Sequence, residues 1–380
     1  MTAPRDGTLV LGIETSCDET AAAVVQWRDG VPRVRSNVVS SQHDLHERYA
    51  GVVPELASRA HLERIVPVVR EALGSASVDA GALNAVAVGN RPGLIGSLLV
   101  GNAAAKAYAW SLGIPVLGID HVAAHLAAGL IDAPPPAWPA LGLVASGGHT
   151  HLFRMHDPLH AELLGRTIDD AVGEAFDKAA TILDLGYPGG PRLDARSSEG
   201  NAGAVRFPLP RLTARSVRGA AADAAGAADP DARTLDFSFS GLKTALLYAV
   251  RGVPPSPGRT PPPAPEPLTP QRVSDLCASF QAAAVAQVVD VVARAHARLA
   301  ASGQVPRTLL VGGGASANRH MRAELASLGE RLGMEVRLPA LAYCLDNAAM
   351  IAALAHWRLA AGERDDLRLA PSARSALGRT

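Results

Sequence analysis

Residues 11–24 read LGIETSCDETAAAV, and residues 141–154 read LGLVASGGHTHLFR. Each is an apolar run, a small polar turn and a second run that returns, which is the pattern of a tight β-hairpin. The same design twice in one chain suggests a protein built from two similar lobes.

The surrounding sequence reads as an α/β chain. A further strand is expected at 33–40. A helix follows over 54–73, with Leu56, Ala60, Leu62, Ile65, Val69 and Leu73 near one face. Next come a strand at 84–89, a Pro-Gly turn at 92–93, a buried helix over 94–112, a strand at 114–119 and a helix beginning near Asp120. Beyond the second hairpin, a helix is expected over 160–185, ending at the 186–190 turn cluster, and an amphipathic helix over 271–302. Residues 307–329 read as strand, Gly-rich turn and helix, and a last helix covers 347–361. Residues 213–233 are Ala-rich, and residues 254–270 hold nine of the 28 prolines, so both read as surface excursions within one lobe.

Composition narrows the class. The chain has 380 residues, enough for two or three domains, with 48% hydrophobic but only 4% aromatic residues, so its core rests on Ala, Val, Leu and Ile. Thirty-six basic residues balance 36 acidic ones, which argues against a broad basic face wrapped on nucleic acid. Three dispersed cysteines, Cys17, Cys277 and Cys344, form neither a disulfide framework nor a CxxC clip. There is no signal-peptide pattern, and Asn102 and Lys106 interrupt the best candidate for a membrane span, which points to the cytoplasm. Three of the 36 basic residues are lysines (Lys106, Lys178 and Lys243), leaving 33 arginines.

Several short motifs carry chemistry. His121 and His125 project from one face of a helix and can share a metal, as i,i+4 residues do. The intervening Val122, Ala123 and Ala124 leave out the glutamate a zinc endopeptidase needs, so a carboxylate from elsewhere must complete the site. Asp346 is a candidate, and an N-cap of the last helix is an equally natural role for it. Two histidines and a carboxylate suit Fe(II), with Zn(II) the other choice. Val144, Ala145, Ser146, Gly147 and Gly148 form a turn whose amides can approach a phosphate or acyl oxygen. Gly312–Asn318 (GGGASAN) ends an apolar strand and opens a helix, a place for an anionic or nucleotide ligand, but it is neither a Walker A loop nor GxGxxG. Asp169, Asp170, Glu174, Asp177 and Lys178 share the expected 160–185 helix, where a solvated acidic face is the simpler reading.

In order along the chain stand ETSCDET (14–20), PELASRAH (54–61), HxxxH (121–125), SGGHT (146–150), DDAVGEAFDK (169–178), YPGGP (187–191), FSFSGLK (237–243), GGGASAN (312–318) and CLDNAAM (344–350). From about residue 8 to 365 this order closely resembles the universal tRNA N6-threonylcarbamoyladenosine transferase family, whose bacterial member is TsaD. The resemblance implies a two-lobed actin/hexokinase/Hsp70-like (ASKHA) fold with paired β-hairpin phosphate loops and an inter-lobe cleft. One lobe would hold residues 8–137 and 344–368, the other 138–343. The implied reaction moves a threonylcarbamoyl group from threonylcarbamoyl-AMP to N6 of adenosine 37 in tRNAs reading ANN codons.

Carried over by motif, His121, His125 and Asp346 match the metal ligands, implying one Fe(II) per subunit, with Zn(II) as the alternative. Val144–Gly148 match the loop at the acyl-phosphate. Asp177, Gly190 and Asp194 match positions around the ribose, and Asn318 matches the adenine contact. Asp18 and Glu19 match acidic positions important for activity. The implied partners are tRNA, a shorter TsaB-type paralogue and a TsaE-type P-loop ATPase. Departures stand out: Asp120, Ala123 and Ala124 stand where many members have a histidine directly before the HxxxH pair and a glutamate and a glycine inside it, and Arg91 replaces the first glycine of GPGL. Six arginines (192, 196, 206, 211, 215 and 218) form a candidate patch for tRNA phosphates. The rival readings are a small-molecule kinase of the same fold and a non-catalytic scaffold. The kinase expects a carboxylate where Ser146–His149 stand, and the scaffold need not keep the three ligands together.

Overall fold

The computed structural model describes residues 4–49, 51–213, 216–217, 233–254 and 265–377. Five strands, β1 (Leu9–Glu14), β2 (Glu19–Arg28), β3 (Val31–Ser41), β4 (Ala85–Arg91) and β5 (Val116–Asp120), form a sheet of order β3-β2-β1-β4-β5. Five more, β6 (Ala140–Ala145), β7 (Thr150–Met155), β8 (Ala161–Arg166), β9 (Thr308–Gly312) and β10 (Glu335–Arg337), form a second sheet of order β10-β9-β6-β7-β8. The two orders are the same arrangement. In each sheet an antiparallel meander leads from the hairpin, and two parallel strands join its other side. This is the two-lobed actin/hexokinase-like α/β architecture, and the quoted hairpins are β1–β2 and β6–β7.

Alternation along the strands decides what each face buries. In the first sheet Val10, Ala21, Ala23 and Val25 face α10 (Ala348–Ala360), while Leu11, Ile13, Ala22 and Val24 face α2 (Pro54–Ala76) and α3 (Ile95–Leu112). Both faces are apolar because both are covered, as expected where helices flank parallel strands. Small residues let the layers close: a Cβ on Gly12 would lie 2.3 Å from the Ala348 carbonyl oxygen.

The second sheet packs Leu141, Leu143, Leu152 and Val311 against α5 (Val172–Ile182), α7 (Ser240–Arg251), α8 (Pro270–Ala301) and α9 (Arg319–Leu332). Phe237 and Phe239, in the FSFSGLK segment, are fully buried in this core, each contributing roughly 1.5–3 kcal/mol.

Between the sheets lies a short helix, α4 (His121–Ala127). Its Ala124 and Ala127 join the first sheet's core, while Val122 and Leu126 join a cluster with Val144, Phe153 and Leu310 of the second. The residues that hold the sheets together therefore also aim His121 and His125.

Several expectations are corrected. The stretch 160–185 is not one helix: residues 161–166 form β8 and pair with β7, and α5 starts only at Val172. AELLGR contains good helix formers, but Gly165 lies against Leu235, where a Cβ would sit 1.9 Å from the carbonyl oxygen, and the ladder prevails over propensity. Asp169 and Asp170 accordingly precede α5, and both brace the fold, Asp169 from an exposed position and Asp170 from a nearly buried one. Asp169 accepts from Ser238 Oγ and the amides of Phe239 and Ser240, at 2.5, 2.8 and 3.3 Å. Asp170 pairs with Lys178 at 2.6 Å and Lys243 at 3.4 Å, which accounts for two of the three lysines.

The 186–190 cluster does not stop the chain, because a further helix, α6 (Gly189–Ser197), begins inside it. Leu62, expected on the inner face of α2, is 64% exposed. Among the described residues one helix, α8, is long and apolar enough to cross a membrane, but 67% of its apolar window is buried within the protein. Most of residues 213–233 and 254–270, together with Arg215 and Arg218, lie outside the described residues. Within the proposed basic patch, Arg206 and Arg211 are exposed, whereas Arg192 is turned onto the carbonyls of Tyr187 and Leu185.

Candidate metal centre and cleft

His121 and His125 leave α4 on one side and meet Asp346, which lies just before α10. Their Nε2 atoms are 3.4 and 3.3 Å from the same oxygen, Asp346 Oδ1. The three ligand atoms lie within 4.8 Å of one another. Asp346 is spared the capping role because Asn347 takes it, its side chain accepting from Met350 N at 3.0 Å. His125 is completely buried; among the described residues its Nδ1 has no partner, and its Nε2 has only the 3.3 Å approach to Asp346 Oδ1, which lacks hydrogen-bond geometry. A buried polar atom left unpaired costs about 1–3 kcal/mol, and a bound cation accepting the Nε2 lone pair would remove that cost. The residues therefore fit a metal ion, and the HxxxH pair finds its carboxylate at Asp346.

Glu14, at the end of β1, is a member of this site that sequence reasoning missed. It is fully buried, with Oε2 3.0 Å from His121 Nδ1 and Oε1 accepting from Ser16 N at 2.6 Å. A carboxylate behind a ligating histidine fixes which nitrogen carries the proton and leaves Nε2 free for a metal. The only signal in the sequence was a glutamate closing an otherwise apolar strand.

The electrostatics agree with this arrangement. Burial disfavours the imidazolium of His121, yet Asp346 and Glu14 on its two sides prevail and raise its pKa well above the usual value. His125 is lowered, first by burial and then by His121. Burial also opposes the charge on Asp346, but the two histidines hold it well below the usual carboxylate range.

The second hairpin turn faces this group. Gly312, beside β6, packs where a Cβ would lie 2.0 Å from the His125 carbonyl oxygen, so the end of β9 touches α4 directly. Val144 and Ala145 are buried strand residues, and Ser146 closes the turn by accepting from His149 N at 3.1 Å. Gly147 and Gly148 are exposed, have open space where a Cβ would stand, and donate their amides to no group among the described residues. His149, also unassigned from sequence, senses His121, His125 and Asp346. Burial pushes its pKa down to about 3, with His151 the next cause, so it is neutral at physiological pH.

On the far side of the cleft, Asp18 and Glu19 stand at the start of β2. Glu19 is raised well above its ordinary pKa by burial and then by Asp346 and Asp18. The first lobe's His43 stacks on the second lobe's Tyr187 with ring centres 4.9 Å apart, and burial followed by Asp18 and Asp177 pushes Tyr187 up to about 12. Asp177 Oδ1 accepts from Gly190 N at 3.0 Å, so those two candidates are joined. Asp194 pairs with Arg319 at 2.8 Å, next to Asn318, whose side chain caps α9 through Met321 N and donates to Gln281 at 2.9 Å. The ETSCDET turn, the α4 pair and Asp346 thus form one group, and Asp177, Gly190, Asp194 and Asn318 form another across the second lobe.

Fold and site together define a two-lobed actin-like α/β protein with a His-His-carboxylate group in its cleft. The profile of the TsaD family, tRNA N6-adenosine threonylcarbamoyltransferase, matches residues 33–353. Proteins of that name from Sorangium cellulosum and Salinibacter ruber are 45% and 48% identical to this chain, over 97% and 93% of it and 97% and 95% of their own length. A third, from Anaeromyxobacter dehalogenans, is 48% identical over 94% of this chain and 96% of its own. The chain belongs to the tRNA N6-adenosine threonylcarbamoyltransferase family and is a transferase. Among solved structures, HypF from T. kodakarensis shares the fold at 14% identity and a TM-score of 0.56, covering 97% of this chain and 50% of HypF.

Proposed function

We propose that this chain transfers the threonylcarbamoyl group of threonylcarbamoyl-AMP to N6 of adenosine 37 in tRNAs that read ANN codons. The observation that carries the reading is the convergence of His121, His125 and Asp346 on one point in the cleft of a family member. These three residues would hold Fe(II), one per subunit, with Zn(II) the alternative. When bound, such an ion supplies Lewis-acid polarisation of a carbonyl oxygen. The chain's own residues do the rest.

The open amides of Gly147 and Gly148 bind the acyl-phosphate region, and Asp177, Gly190, Asp194 and Asn318 surround the nucleoside. N6 of adenosine is a weak nucleophile, so its attack needs a leaving group already in place. The new C–N bond forms as the C–O bond to AMP breaks and AMP departs. Asp18 takes the N6 proton, while burial and the neighbouring Asp346 and Asp18 disfavour the charged form of Glu19 beside it. The target base has to be unstacked from its loop to enter the cleft.

In this reading residues 8–137 with 344–368 form one lobe, and 138–343 form the other. A TsaB-type paralogue docks on the paired helices α2 and α3, which expose Leu62 and Val66 on one and Ile95 and Leu99 on the other. A TsaE-type ATPase completes a cytoplasmic assembly. Neither rival matches the cleft as well, since the second hairpin turn carries no carboxylate for a kinase and a scaffold has no use for three converging ligands.

The test is reconstitution with unmodified tRNA, ATP, threonine, bicarbonate, a synthase for the intermediate and both partners, followed by mass spectrometry of digested nucleosides. Threonylcarbamoyladenosine should form, and His121→Ala and Asp346→Ala should abolish it. Its absence with intermediate, active partners and metal all verified would refute the proposal.

A further inference from the structure

Arg91 and Asp120 stand opposite each other where the parallel ladder of β4 and β5 ends. They form no ion pair, and no partner for the Arg91 guanidinium is found among the described residues. Asp120 instead divides its carboxylate between two elements. Its Oδ1 accepts from Val122 N at 3.0 Å and Ala123 N at 3.3 Å, capping α4. Its Oδ2 accepts from Ser375 Oγ at 2.6 Å and Ala376 N at 2.8 Å, near the end of the described chain.

Residues 365–377 reach that point along a fixed path. Asp365 N donates to Val116 O at 3.0 Å, and Asp365 Oδ2 accepts from Gly118 N at 2.8 Å. Further on, Ser372 N donates to Asn90 O at 2.9 Å, and Leu369 lies against Gly118, leaving no room there for a Cβ. Leu377 then packs on the cluster that contains Val122 and Leu126 of α4. The segment runs along β5 from Val116, passes the carboxyl end of β4 at Asn90, and reaches the metal helix at its N-cap.

We infer that residues 365–377 are a strap that positions the metal helix, and that Asp120 is the positioning residue through which it acts. His121 follows Asp120 directly, so the angle at which the chain enters α4 sets where His121 Nε2 points. Metal ligands must be held to within about 0.5 Å to bind well. A seven-residue helix has little rigidity of its own. An aspartate is a favoured N-cap, and its two oxygens together take all four of these donors. Asp120 thereby ties the helix to the strap.

The inference rests on the metal reading above, and the experiment separates the two. Metal-free full-length protein is titrated with Co(II), and both affinity and the d–d absorption bands are read. The variants are Ser375→Ala, Ser375→Thr, Asp120→Asn, a deletion of residues 371–380, and His121→Ala as a control. Loss of a direct partner of a metal ligand costs about 10- to 100-fold in affinity. The strap acts one step further out, so Ser375→Ala and the deletion should weaken Co(II) binding about three- to tenfold. They should also alter the d–d bands, which a loss of global stability alone would not do.

Asp120→Asn keeps the cap but strands Ala376 N, and it should match Ser375→Ala. Ser375→Thr keeps the hydroxyl and should restore wild-type affinity and spectrum. If Ser375→Ala and the deletion bind Co(II) as wild type does while His121→Ala does not bind it, the strap is passive and the inference is wrong, with the metal reading intact. If wild type itself fails to bind Co(II), both fall.

Discussion

Replacing Glu14 by glutamine changes one buried atom and with it the state of His121. Glu14 Oε1 accepts from Ser16 N at 2.6 Å, and a glutamine oxygen would keep that bond. The amide NH₂ would then face His121 Nδ1, which lies 3.0 Å from Oε2 now, and would donate to it. The ring proton is thereby forced onto Nε2, the nitrogen that points at Asp346. A metal has to expel that proton or make the amide flip, which sets NH₂ against Ser16 N–H. Either route loses a buried hydrogen bond, about 1–3 kcal/mol. That agrees with the 10- to 100-fold loss, about 1.4–2.7 kcal/mol, typical for a partner of a ligating histidine. Zn(II) affinity measured by competition with a chromophoric chelator at pH 8 should fall by that factor. Threonylcarbamoyladenosine formation should fall with it and recover at saturating metal. Affinity within twofold of wild type would mean that Glu14 does not set the His121 tautomer.

Three further outcomes follow from the structure. His356 is fully buried, and burial lowers its pKa to about 4, so the folded protein binds its proton less readily than the unfolded chain does. Stability from this group is present above the unfolded pKa of roughly 6.5 and is lost as pH falls toward 4; between pH 7.5 and 5 the loss is about 2 kcal/mol. Urea unfolding at the two pH values should show it, and His356→Gln should shrink the difference by about that amount.

Gly312→Ala places a Cβ 2.0 Å from the His125 carbonyl oxygen. Backbone must move, so stability should drop by about 3 kcal/mol and metal affinity with it; unchanged thermal unfolding would contradict this contact. Asp18→Asn should lower the turnover number by at least about 100-fold while leaving metal affinity as it is, and equal losses in both would assign Asp18 to the metal site instead.

Much of the fold was legible in the chain because it is local. Apolar strand, small polar turn and returning strand are written contiguously at 11–24 and 141–154, and both became hairpins. The histidines at 121 and 125 share a helix face by backbone geometry alone. The misreadings came where distant contacts override local preference. The run 161–166 has helix-forming residues, yet its pairing with β7 and its approach to Leu235 make it a strand. Asp169 and Asp170 look like a solvated face until Ser238, Lys178 and Lys243 arrive from elsewhere.

By itself the sequence determined the two hairpins, the HxxxH pair on one helix face and, through the order of its motifs, the family. Only the tertiary structure decided that Glu14 stands behind His121, that Asn347 caps α10 and so frees Asp346, and that residues 365–377 reach Asp120. Periodicity records what one element buries, whereas the meeting of side chains from separate elements depends on how those elements pack, and no stretch of sequence contains that.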